Sequence, residues 1–145
     1  MTNRSEVILL AIDGSTASRN AAVYAFRIAK LLSKDIMCIN VIGTPPGLRK
    51  LNPALVALYF SKAEDSANRW MAEVERLAHK EKVTLTSEVI LGALSVPDAI
   101  IDYSKKCSAE FIVMGARGAS AKKFLLGSVA NAVVTRAACP VLLVR

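Results

Sequence analysis

The chain predicts a doubly wound α/β fold with a five-stranded parallel sheet, and three observations carry the prediction. Short runs that are apolar throughout alternate with longer segments of helical period, which is the β-α-β order of a parallel sheet covered on both faces. The runs Val7 to Ile12 and Ile36 to Ile42 are almost continuously apolar, as strands buried on both faces must be. From Glu110 the chain reads strand, glycine-rich loop, helix, strand, the layout of an anion site at the carboxyl edge of such a sheet. With 145 residues, 53% of them hydrophobic and 21% charged, the chain reads as one domain spanning 1–145 that buries its own core.

Each element follows in turn. Val7 to Ile12 is stopped by Asp13, Gly14 and Ser15, so a first strand enters a turn there. From Ser18 to Ser33 the positions Ala21, Ala22, Ala25, Ile28, Ala29 and Leu32 repeat at three and four, which is one apolar helix face. A second strand, Ile36 to Ile42, runs into Gly43, Thr44, Pro45, Pro46 and Gly47; these residues break strand and helix alike and predict a mobile loop to about residue 52. Asn52 or Pro53 through Lys82 holds a helical period, with Trp70, Met71, Val74 and Ala78 on its apolar side. Its early apolar residues, from Pro53 to Phe60, read as core, pocket cover or interface. Leu85 to Leu91 carries Thr86 and Glu88, so this third strand reads as an edge. Ser95 and Asp98 make a capping-box signature for a helix reaching about Lys106. Glu110 to Met114 is the fourth strand, Gly127 and Ser128 open a helix through Ala137, and Val141 to Val144 is the fifth strand.

Right-handed crossovers place the first and fourth strands on either side of the point where strand order reverses, and ligands of such sheets lie there. Asp13 and Gly115 end those two strands. Asp13 has two readings, a turn or cap residue for the first helix and a carboxylate that accepts hydrogen bonds from a ribose or base. Gly115, Gly118 and Gly127 read as turn glycines or as the backbone of a phosphate loop, with Gly115 letting the chain turn sharply. Arg117, Ser120, Lys122 and Lys123 lie in that loop and can neutralise a polyphosphate, and Ser128 can cap its helix or donate to a phosphate.

A formal charge of +7 suits an anionic ligand. The basic pairs Arg49/Lys50, Lys105/Lys106 and Lys122/Lys123 have no interleaved aromatics to stack bases, which argues against a nucleic-acid partner. Cys38, Cys107 and Cys139 form neither a disulfide framework nor a zinc spacing, and reduced thiols fit a cytoplasmic protein. The opening apolar run is too short for a signal peptide, and no stretch approaches the roughly twenty apolar residues of a membrane span. Catalysis has few candidates: His79 reads as a solvated helix residue, no cysteine looks activated, and no Walker lysine motif occurs.

These residues carry a resemblance. Val-Ile-Leu-Leu-Ala-Ile-Asp-Gly-Ser at 7 to 15, Val41 at the end of the second strand, Gly115-x-x-Gly118 followed by Gly127-Ser128, and Cys139-Pro140 before Val-Leu-Leu-Val resemble the universal stress proteins over nearly the whole chain. The resemblance implies the strand order 3-2-1-4-5 of a Rossmann-like sheet, an adenine-nucleotide site for ATP with Mg as its accompanying ion, and a homodimer through strand 141–144. It assigns Asp13 to the nucleotide, the backbone of Val41 to adenine, and Gly115, Arg117, Gly118, Gly127, Ser128 and Val129 to the ribose and phosphates. One departure stands out: the interval Ala119 to Leu126 between the second and third glycines is one residue shorter than in ATP-binding members. One residue spans at most about 3.6 Å, enough to withdraw one amide from a phosphate and little enough for loop rearrangement to absorb.

Function then divides into two classes. One is a stress-response switch whose bound ATP orders the 115–128 loop and the 43–52 segment and biases contacts with an unidentified protein partner. The other is a dimeric interaction module with an empty pocket. Slow ATP hydrolysis or autophosphorylation on Ser120 or Ser128 is a variant of the first. A phosphoacceptor receiver domain needs an acidic cluster after the first strand, and Asp13 stands alone.

Overall fold

A computed structural model describes residues 6–117 and 125–145. Strands β1 (Val7–Ala11), β2 (Ile36–Gly43), β3 (Leu85–Ala93), β4 (Ala109–Gly115) and β5 (Val141–Val144) form one parallel sheet in the order β3-β2-β1-β4-β5. Helices α1 (Thr16–Leu32), α2 (Pro53–Lys80), α3 (Val96–Lys106) and α4 (Ser128–Arg136) connect them. The strand order is the expected one, and β3 is the edge foreseen from its mixed pattern, with no fully buried residue along it.

The alternation of side chains along β1 builds two cores. Ile8 and Leu10 face α1 and α2, where Phe26, Ala25, Met71 and Val74 meet them. Leu9 and Ala11 face the opposite side with Ile39, Ile112, Ile100 and Val133 from α3 and α4. Leu9 lies between Met37 and Ile112 in the ladder and is fully buried, so the central strand tolerates only apolar residues on both faces.

Side-chain caps start three of the helices. Ser15 accepts from the Ser18 amide at 3.1 Å, Asn52 from Ala54 at 2.8 Å with Pro53 behind it, and Ser95 from Asp98 at 3.3 Å. The capping box is only half made: the Asp98 carboxylate turns away to pair with Arg136 on α4, tying the two helices of that face together. The 43–52 segment is more ordered than its prolines and glycines suggest. Gly43 continues β2, a 3₁₀ turn spans Leu48–Lys50, and buried Leu48 anchors it. Local breaker residues set where the turn falls, and one buried leucine supplies the packing that holds it.

Candidate functional site

The chain leaves β1 for α1 on one face of the sheet and β4 for α4 on the other, and a cleft of about 610 Å³ opens at these carboxyl ends. Its volume lies in the range of small-molecule sites. Asp13, Val41, Gly115, Arg117, Gly127, Ser128 and Val129 line it together. Gly118, Ser120, Lys122 and Lys123 lie outside the described residues. The walls also include Ile12, Ser18, Val96, Ile100, Met114, Leu125 and Leu126, which motif reasoning did not name. Val96, Ile100 and Met114 read as core residues from their period, and only the gap between the α3 face and α4 makes them a wall. Leu55, Leu58 and Tyr59, left open as pocket cover, are exposed and are not among the lining residues.

Asp13 takes the turn role and also stands at the cleft. Oδ1 accepts the Ser15 amide at 2.9 Å, closing the turn into α1, and the carboxylate stays exposed at the cleft wall. The helix cap is Ser15, so Asp13 is not needed for that role. The backbone around it is held from three sides. The Ile12 carbonyl accepts from the Asn40 side chain at 2.9 Å, and Asn40 is buried within β2. The Asp13 amide donates to Ser18 Oγ at 3.4 Å. Beneath the turn, Gly14 has φ +81° and lies flat against Trp70, whose ring would sit 2.2 Å from any Cβ there. Neither the backbone angle nor the space admits another residue.

Gly115 is needed for a different reason from the one expected. Its φ is not in the left-handed region; a Cβ would instead come within 2.9 Å of Ala17 Cβ and 3.0 Å of the Ser18 amide. The end of β4 thus packs directly on the first turn of α1, which draws Asp13 and the β4 loop to the same cleft. The loop's two ends are joined as well: the Gly127 amide donates to Ala116 O at 2.8 Å, and the Ala116 amide donates to Val144 O at 2.7 Å.

Gly127 is the N-cap of α4, with φ −62° and ψ 150°, and it carries no side chain to accept from the first turn. Alone among the four α-helices of the described residues, α4 starts without a side-chain cap, and its first turn lines the cleft. Its leading amides and the positive end of its dipole are therefore presented to a ligand. Arg117 also lines the cleft. Apolar lining together with oriented amide donors and a guanidinium can take a flat apolar ring joined to an anionic group.

Nucleophilic chemistry finds little support among the described residues. Burial, with Glu75 adding to it, pushes the Cys38 thiol up to about 12, and burial also raises Cys107 and Cys139. All three are moved away from the thiolate. His79 is exposed near the end of α2, away from the cleft. Among the described residues, no group of three His, Cys, Asp or Glu side chains could hold a metal ion, and no helix is long and apolar enough to cross a membrane.

Fold and site together define a doubly wound α/β protein with its ligand cleft at the topological switch point. Comparison with known proteins narrows that class: a sequence model of the universal stress protein family matches residues 5–145, and the chain belongs to that family. A universal stress protein of Methanocaldococcus jannaschii is 29% identical over 144 residues, covering 99% of this chain and 84% of its own. One from Thermus aquaticus is 32% identical, covering 97% and 98%. Among solved structures, the universal stress protein UspA of Lactobacillus plantarum superposes with a TM-score of 0.79 at 25% identity, covering 99% and 100% of the two chains. Two further structures of the same fold were solved with nucleotides. One universal stress protein holds cAMP, with TM-score 0.72, 21% identity and 97% of each chain covered. Another, from Archaeoglobus fulgidus, holds dAMP, with TM-score 0.71, 21% identity and 97% and 98% covered.

Proposed function

We propose that the cleft binds an adenine nucleotide, with ATP as the ligand, and that the protein acts as a nucleotide-dependent switch in a stress response. One observation carries the reading: among the described α-helices, the one without a side-chain cap opens its first turn onto the cleft that Arg117 also lines, where a phosphate chain would meet amide donors and positive charge. Val41, Val96, Ile100 and Met114 suit the apolar faces of a purine, and the Asp13 carboxylate suits ribose hydroxyls. The nucleotides held by two relatives of this fold support the same class of ligand. The described residues offer Mg no protein cage, so the ion would ride on the phosphates and water, as Mg commonly does. The shortened loop is compatible with this arrangement, because Gly127 is tied to Ala116 and the α4 amides stay at the cleft whatever path residues 117–126 take.

A homodimer through β5 belongs to the same proposal. Val141–Val144 is a four-residue edge strand whose Leu142 is exposed, and pairing with a second copy would cover that edge. A cytoplasmic location and a protein partner that senses the bound state complete the switch reading.

The test is direct. Purified protein is denatured and its supernatant assayed for adenylates, and nucleotide-free protein is titrated with ATP, ADP and AMP by calorimetry. ATP binding that Asp13→Ala and Arg117→Ala each weaken about tenfold or more, with unchanged circular dichroism, supports the site. Wild-type affinity in both variants removes it.

A further inference from the structure

The turn that carries Asp13 runs from Ile12, held by Asn40, to Ser15, held as the cap of α1, and Gly14 lies between these anchors. Gly14 takes φ +81° and has no side chain to fix it, so the freedom that permits this shape has to be removed from outside the turn. The Asp13 amide reaches Ser18 Oγ only at 3.4 Å, beyond a well-formed hydrogen bond. The bond from the Ser15 amide to Asp13 Oδ1 lies within the turn; it ties the carboxylate to whatever position the backbone takes. The three atoms nearest to where a Gly14 Cβ would stand all belong to the indole of Trp70: Cε2, Cδ2 and Cζ2.

Trp70 is placed to bear on this turn. Its neighbours on α2, Ala67, Met71 and Val74, are buried, so the stem is fixed while the half-buried indole packs against the core shared with α1. Ile12 and Ser18 line the nucleotide cleft on one side of the turn, and on the other they line a gap of about 10 Å³ that Gly14, Trp70 and Val74 also wall. A gap of that size holds at most about one water, so with the indole in place the turn has nowhere to settle. A smaller residue at position 70 would open space directly beneath Gly14, and the carboxylate would follow the backbone away from the cleft. Trp70 is not among the residues that line the cleft, so its effect on a ligand passes through Asp13.

We infer that Trp70 is a positioning residue of the nucleotide site, setting the Asp13 carboxylate toward the ribose by holding Gly14 from beneath; this rests on the nucleotide reading of the cleft. ATP is titrated by calorimetry into nucleotide-free wild type, Trp70→Leu, Trp70→Phe and Met71→Ala, and the melting temperature of each is recorded. Trp70→Leu is expected to weaken ATP binding about tenfold, the loss of about one hydrogen bond to a charged group. Trp70→Phe keeps a flat ring and is expected to stay within about threefold of wild type. Met71→Ala removes a buried neighbour on α2 that does not wall the gap; it is expected to lower the melting temperature at least as much as Trp70→Leu, yet to bind ATP as wild type does. In Asp13→Ala the carboxylate is gone, and adding Trp70→Leu is expected to change affinity less than about twofold. A wild type that ignores ATP removes the nucleotide reading and this inference with it. With the wild type binding, the inference alone is overturned if Trp70→Leu keeps wild-type affinity, if Met71→Ala loses as much, or if Trp70→Phe is as weak as Trp70→Leu. It is overturned too if the losses of Asp13→Ala and Trp70→Leu add in the double variant, since Trp70 would then act by a route other than Asp13.

Discussion

Three residues that are not glycine adopt left-handed backbone in the described structure: Ser33 at φ 53°, Lys82 at φ 58° and Ser108 at φ 55°. Each closes the end of a helix. Around Ser33, for example, the Lys34 amide returns to Ala29 O at 3.0 Å, and after α2 the Val83 amide returns to Ala78 O at 2.9 Å. That turn favours glycine, because a Cβ in this conformation costs about 1 to 2 kcal/mol. Ser33→Gly and Ser108→Gly are each expected to stabilise the fold by about 0.5 to 1 kcal/mol in urea denaturation, after the added freedom of glycine in the unfolded chain is offset. Gly14→Ala is expected to do the opposite and cost more than about 2 kcal/mol, since it meets both a positive φ and the Trp70 ring. Equal small effects in all three variants would mean that backbone strain is relieved elsewhere. The same scale shows what sequence reading sees and misses. Gly115 is visible as a glycine at a strand end, but its reason, the close approach of Ala17, depends on a partner far away in the chain.

At the level of elements, the loop-to-α4 junction sets stability against binding. Gly127 has the extended backbone of an ordinary N-cap and could carry an acceptor side chain, yet the cap is left empty where the cleft lies. Gly127→Asp is expected to stabilise the protein by a few tenths of a kcal/mol, from capping and the helix dipole. It is also expected to weaken ATP binding at least tenfold, since a carboxylate would occupy the phosphate position and repel it. Thermal denaturation and calorimetry on one preparation separate the two effects, and undiminished affinity would show that the phosphates do not meet α4. Elements of this kind were legible because their signals are local: β-branched runs, cap residues and glycines mark strands, starts and stops. The exposed front of α2 was not. Leu55 and Tyr59 keep a helical period whether or not anything packs on them, so periodicity cannot tell a core face from an unpartnered one.

For the whole molecule, the strand order decides where a ligand goes. β1 is the central strand, and crossing from β3 outward to β5 puts α1 and α2 on one face and α3 and α4 on the other, so the cleft is bounded by elements from both cores. A ligand seated between the β1 turn and the first turn of α4 would therefore bridge the two layers and bind the folded state only. By mass action, ATP at a hundred times its dissociation constant adds about 2.7 kcal/mol to stability. For a chain of 145 residues that is expected to raise the melting temperature by about 5 to 10 °C, increasing with the logarithm of nucleotide concentration. Asp13→Ala should melt a few degrees below the wild type without nucleotide, because the Ser15 amide loses its acceptor while Ser15 keeps the helix cap, and should shift by no more than a few degrees with it. Differential scanning fluorimetry reads both quantities. A wild-type melting temperature that ATP leaves unmoved up to millimolar concentration would mean that the cleft does not take the nucleotide; an equal shift in Asp13→Ala would move the ribose away from β1.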